Sequence, residues 1–227
     1  MAQKASLVHE AGPSNGSEKR LLEAALSLFS RKGYDGASVR EIIEEAGVTR
    51  PVLYYHFKNK EDLFRQLVRK HLSEMVDEFE AVLHRVAGCK DRLEGLICGV
   101  FEQAERSVDV VRLLVHVIFS PPGQVANMSS EPLLQERFWR VVQIMRDGLE
   151  HGELTGEDPE ALALAFNALM DFHVMAKSRF PGITLTPELG KALVDLFLQG
   201  AGPGGTGRVP LVRPYEDDLQ GEFSGAE

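Results

Sequence analysis

Cysteine is scarce: the 227-residue chain has two, Cys89 and Cys98. Two thiols build neither a disulfide framework nor a structural zinc site, and they suit a reducing compartment. No apolar run approaches the ~20 residues that a membrane-spanning helix needs. The richest stretch, Ala161 to Met170, is soon followed by Asp171, Lys177 and Arg179. Residues 1–18 lack the apolar segment of a secretory signal, so a cytoplasmic protein is expected. Alternating strand patterns are absent. So are a glycine-rich phosphate loop after a strand, a nucleophile elbow and a paired-histidine zinc motif. His84, Cys89 and Cys98 have no recognised ligand spacing, and His151 and His173 stand apart. No catalytic residue, metal or cofactor is expected, and the chain does not read as an enzyme.

Positive charge is short overall, with a net −9, but it is unevenly spread. Residues 1–72 hold 12 Lys and Arg against 9 Asp and Glu, a net +3. The remainder holds 13 against 25, a net −12. A basic head on an acidic body is the asymmetry expected if only the head meets phosphate.

What the chain has in quantity is helical periodicity. Residues 1–16, with Gly12, Pro13 and Gly16, read as a flexible arm. A first helix is expected from about Ser17 to Lys32, with Leu21, Leu22, Ala25, Leu28 and Phe29 on one face and Gly33 ending it. Ser38-Val39-Arg40-Glu41 is a capping box that starts a second, short helix, which Ala46-Gly47-Val48 breaks. Thr49 caps a third, with Pro51 in its first turn and Leu53 and Phe57 facing inward. A long helix follows from about Lys60. Others are expected at roughly 91–106, 109–119, 131–151, 159–180 and 187–199. Asp158-Pro159 and Thr186-Pro187 start the last two, and Pro121-Pro122-Gly123 and Pro181-Gly182 are breaks. Residues 201–227, rich in Gly and Pro with acids at Glu216, Asp217 and Asp218, read as a disordered acidic tail. The expected class is all-α.

The informative stretch runs from Ala37 to Phe64. Two short helices joined by a tight Gly-containing turn have the form of a helix-turn-helix. The second helix of such a motif lies in the major groove. From Thr49 to Lys60 there are three basic residues, Arg50, Lys58 and Lys60, and no acid. Tyr54, Tyr55 and His56 sit between the inward Leu53 and Phe57. Hydroxyl and imidazole groups can donate to phosphate oxygens and fix the docking register. Arg50, at the leading edge, suits a bidentate contact to guanine. The plain alternative is a three-helix packing unit that never meets DNA.

Residues from about 17 to 64 resemble the N-terminal domain of the TetR family of bacterial regulators. The resemblance is carried by Ser38 and Arg40 at the start of helix two and by Ala46-Gly47-Val48 in the turn. Leu53-Tyr54-Tyr55-His56-Phe57 in helix three and Lys58-Asn59-Lys60-Glu61-Asp62-Leu63 at the start of helix four carry the rest. It implies a helix-turn-helix domain at 17–60 and a helical ligand-sensing and dimerisation domain at 61–200. Ser38, Tyr54, Tyr55, His56 and Lys60 would hold phosphates. Arg40, Arg50, Pro51 and Val52 would face bases, with Thr49 among the DNA-facing set. Segments 159–180 and 187–199 would form a four-helix bundle with a second copy. Ala161 to Met170 supports that dimer independently, because it is apolar nearly all the way round and so is buried on more than one side. A two-fold dimer matches a palindromic operator with half-sites ~34–36 Å apart.

The function these expectations give is a ligand-responsive, sequence-specific regulator of transcription. Its simplest form is a repressor released from its operator by a small apolar or amphipathic molecule; activation stays open. Candidate pocket residues are Cys98, Phe101, His116, Phe119, Phe138, Asn167, Met170 and Asp171, with Met128, Trp139 and His173 as further candidates. Each also fits plain core packing, and His116, inside the apolar run Leu113 to Phe119, reads as a buried histidine. Asn167 and Asp171, four apart on an apolar helix, need partners from a ligand, a neighbouring helix or the other subunit. The competing classes are a helical carrier or enzyme without DNA affinity, and a scaffold that binds another protein. Salt-sensitive binding to duplex DNA separates both from the regulator.

Overall fold

The computed structural model describes residues 15–119, 132–155, 158–180 and 182–199. The arm before residue 15, the breaks at Pro121-Pro122-Gly123 and Pro181, Met128, and the tail 201–227 lie outside the described residues. Helices α1 (Asn15–Gly36), α2 (Val39–Ala46), α3 (Arg50–His56) and α4 (Lys60–Leu83) come first. Then follow α5 (Cys89–Arg106), α6 (Val108–Phe119), α7 (Pro132–Glu150), α8 (Pro159–Arg179) and α9 (Pro187–Gln199). The described residues contain no strand, and no helix among them is long and apolar enough to cross a membrane. α1 begins two residues before the expected Ser17 and runs on to Gly36, past Gly33, which interrupts it with φ 71°.

The helices gather into two compact units, one reaching Val68 and the other starting at Arg69. The division lies inside α4 rather than at the 60/61 boundary because the first turns of that helix belong to the N-terminal core. Phe64 stands edge-on to Phe29 and to Tyr34, each at 5.0 Å between ring centres. Leu21, Leu28, Ile42, Leu53, Phe57 and Leu63 complete a fully buried centre.

In the second unit α5 lies against α9, α7 against α8, and α6 against α8. Leu93, Ile97, Phe101, Val141, Phe166 and Val194 form the middle of its core. Gly95 lets α4 and α5 close up: a Cβ there would come within 2.3 Å of Val82 Cγ1. Lys177 on α8 is buried, yet its ammonium is satisfied. It donates to Glu105 Oε2 on α5 at 2.9 Å and to the Ile183 carbonyl at 2.7 Å. Glu105 Oε1 accepts from the Leu185 N–H at 2.7 Å, so one ion pair ties α5, α8 and the α8–α9 connection together.

Burial pushes the Glu105 carboxyl up, but the Leu185 N–H and the Lys177 ammonium outweigh it and hold it below its ordinary 4.5. A depressed carboxyl contributes stability that is present above its unfolded value and lost as pH falls through its folded one. Lys177→Met leaves Glu105 without its cation, and the expected loss at pH 7 is about 2 kcal/mol by urea denaturation. That difference from wild type should shrink below pH 4.5 as Glu105 takes up a proton. An unchanged midpoint at pH 7 would remove the pair from the account.

Candidate functional site

The polar face of the N-terminal unit is built by caps and anchors. Ser38 is the N-cap of α2; its hydroxyl accepts from the Glu41 N–H at 3.2 Å, and its own N–H donates to Glu41 Oε2 at 2.9 Å. Gly47 ends the helix at φ 62°, a left-handed conformation that a side chain would strain. Thr49 holds the N-cap position of α3, but its side chain makes no capping bond. Its carbonyl accepts from the Val52 and Leu53 N–H groups instead. That corrects the expected side-chain cap and leaves the hydroxyl exposed.

α3 has seven residues, and Leu53 together with Phe57, its C-cap, fixes its rotation. Both are buried, each worth roughly 1.5–3 kcal/mol. With these two inward, Tyr54 and Tyr55 are turned out, 46% and 69% exposed. Arg50 is exposed and its guanidinium lies 5.7 Å from the Tyr54 ring centre, so cation and aromatic act as one surface. Pro51 is exposed and Val52 half-buried beside them. Arg40 is exposed and donates to Glu44 at 2.8 Å, a solvent-screened i,i+4 bond that is easily exchanged.

His56 and Lys60 have other occupations than the expected phosphate contacts. His56 Nε2 is 2.9 Å from Ser17 Oγ, and its Nδ1 is 4.0 Å from Glu18, so the ring docks α3 on α1. Lys60 donates to the Tyr34 carbonyl at 2.8 Å and the Ala37 carbonyl at 3.1 Å, and sits 4.3 Å from the Tyr34 ring centre. It thereby ties the last turn of α1 to the α1–α2 connection.

The second unit holds two adjoining clefts, about 500 and 390 Å³, that share Met75, Val100, Gln103 and Arg137. Of the eight predicted pocket residues, Phe119 and Asp171 line the larger one. Phe101 and Met170 are fully buried core, and Phe138 packs against that core. Cys98 Sγ meets the Pro187 carbonyl at 3.6 Å, between α5 and α9. His116 is exposed, which corrects its reading as buried: at a 3.6-residue period it falls on the far side of the helix from the buried Val111 and Leu114. Of the further candidates, Trp139 is exposed and His173 Nδ1 donates to the Leu169 carbonyl, 2.6 Å away. Asn167 donates to the Ala163 carbonyl of its own helix at 2.9 Å. Asp171 is paired across to Arg137 on α7. Sequence reasoning missed Arg137, yet a signal was there. It lies four residues before Val141 and eight before Met145, so a charge sits on the inward stripe of α7.

Residues 21–67 match the family described as bacterial regulatory proteins, tetR family. The chain is 28% identical over 151 residues to the HTH-type transcriptional repressor KstR2 of Mycobacterium tuberculosis, covering 63% of this chain and 71% of that one. The solved structure of KstR2, a ketosteroid transcriptional regulator, superposes with TM-score 0.68 at 25% identity over 84% of this chain and 97% of that chain. Over residues 21–67 the chain belongs to the TetR family. The TetR fold is seen again in the FadR regulator of Bacillus subtilis, solved in complex with stearoyl-CoA. It has TM-score 0.71 at 20% identity, over 80% of this chain and 98% of that one. In this TetR-family chain α2 and α3 are thus the helix-turn-helix, and the chain is a DNA-binding regulator of transcription.

The cap that sets α2 is directly testable. Hydrogen bonds from Lys32, then from the Ser38 hydroxyl and N–H, hold the Glu41 carboxyl down to about 2. Its contribution is present above the ordinary 4.5 and lost as pH falls through about 2. A carboxyl titration followed by NMR should place Glu41 near 2; a midpoint near 4.5 contradicts the box.

Proposed function

We propose that this protein is a homodimeric, cytoplasmic repressor that binds a palindromic operator and is released from it by a small apolar or amphipathic molecule. The observation that carries the DNA half is the outward set on α3: Arg50, Tyr54 and Tyr55 exposed on a helix that Leu53 and Phe57 anchor from behind. Arg50 meets a base edge, with Pro51 and Val52 against thymine methyls. Ser38, Thr49, Tyr54 and Tyr55 hold phosphates, and Arg40 reaches the groove from α2 by leaving Glu44. His56 and Lys60 act on DNA only through the unit they brace.

The dimer is proposed through α8 and α9. On α8, Ala161, Leu164, Ala165, Ala168 and Phe172 are exposed along one stripe, with Leu164 at 64% and Phe172 at 62%. Two alanines between two large apolar residues suit close approach of a second copy. The ligand half rests on the paired clefts and on the acyl-CoA complex of the FadR relative. α4 supplies Phe64 to the N-terminal core and Met75 to both clefts, so an occupant of the clefts acts on the helix that leads to α3. The ligand need only favour the form that does not bind DNA, and the shift is limited by its difference in affinity for the two forms.

Selection from a random duplex pool tests the reading. Wild type should enrich a palindrome, and Arg50→Ala/Tyr55→Ala should bind it with a loss of roughly 2–4 kcal/mol while keeping its helical content. No enrichment by a folded dimer would overturn it. Phe172→Glu should give a monomer in sedimentation at micromolar concentration and bind the operator weakly; an unchanged dimer would move the interface elsewhere.

A further inference from the structure

The adjoining clefts are apolar but not uncharged. Glu78, Arg137 and Asp171 reach their walls. Each of these charges is already matched. Arg137 donates through both terminal nitrogens to the two Asp171 oxygens, at 3.0 and 2.8 Å. Glu78 accepts from Arg106 at 3.2 and 3.3 Å. The Arg137–Asp171 pair is withdrawn from water, with side chains 13% and 20% exposed, and Arg137 stands where the two clefts meet.

A charged head entering this space meets no opposite charge waiting for it among the described residues. A carboxylate would have to take Arg137 from Asp171, leaving a carboxylate unpaired out of water. An ammonium would have to do the reverse. Breaking a buried pair by removing one partner is strongly unfavourable. A neutral group meets no such barrier. A guanidinium has five N–H donors and a carboxylate about four lone-pair sites. The pair engages only part of each, and Gln103, common to both clefts, adds an uncharged amide.

Resting on the ligand-sensing reading above, we infer that the clefts take an apolar molecule whose buried end carries an uncharged hydroxyl or carbonyl. Asp171 is the residue that sets this preference: by neutralising Arg137 it excludes carboxylates. Any charge the ligand carries stays outside the clefts. Gly99 lines the smaller cleft without a side chain, and a Cβ there would meet nothing within 4 Å, which leaves open space for the apolar body.

The test uses the full-length protein and three ten-carbon probes: 1-decanol, decanoate and decylammonium, each displacing the neutral dye Nile red at pH 7.5. Decanol should bind at least about tenfold more tightly than either ion. Asp171→Asn, isosteric and unable to neutralise Arg137, should invert the order so that decanoate binds best. Gly99→Leu, which fills open space, should weaken decanol by about tenfold or more and so locate the site. Decanoate binding wild type as tightly as decanol would overturn the inference and leave the ligand-sensing reading standing. An unchanged order in Asp171→Asn, or unchanged decanol affinity in Gly99→Leu, would overturn it as well. No displacement by any probe would overturn both.

Discussion

Leu53 and Phe57 anchor a helix that could not stand by itself. Seven residues are fewer than an isolated helix needs in water, so α3 owes its existence and its rotation to the core beneath it. Everything on the outward side follows from those two side chains. With Leu53 and Phe57 buried, Tyr54 and Tyr55 have nowhere to go but outward, and Arg50 lies one turn back from Tyr54 on the same surface. The remaining supports work on the ends. The capping box starts α2, left-handed Gly47 turns the chain, and His56 and Lys60 fasten α3 and the α1–α2 connection from the sides.

The second unit solves a different problem, that of polar groups set among long apolar helices. Its answer is pairing. Lys177 and Glu105 satisfy one another and two backbone groups of the α8–α9 connection. Arg137 and Asp171 satisfy one another where two clefts meet. The first pair closes its surroundings, since its oxygens and protons reach the backbone. The second leaves donors and acceptors facing open space. That difference separates a structural ion pair from one that can choose a ligand.

The N-terminal unit was legible from residue order because its signals are local. A capping box, a glycine that must be left-handed and two apolar residues four apart each declare themselves within a few positions. Apart from the end of α1, which passes Gly33 and reaches Gly36, helix bounds came within about two residues for the same reason, since caps and prolines mark them. What the order of residues did not reveal depends on distant partners. His56 and Lys60 carry the chemistry of phosphate binders, but Ser17 and the Tyr34 and Ala37 carbonyls claim them first. His116 lies in an apolar run, yet helical phase turns it to solvent. The clefts are lined chiefly by aliphatic side chains such as Val100, Val111 and Leu114, which look like any core residue until the space beside them is seen.

In the proposed dimer, two copies of α3 read two successive major grooves. A hydroxyl-radical footprint on the selected operator measures this most directly. Two protected patches are expected on one face of the duplex, about 10 base pairs apart centre to centre and related by the operator's two-fold axis. A single patch, or two patches on opposite faces, would contradict that arrangement.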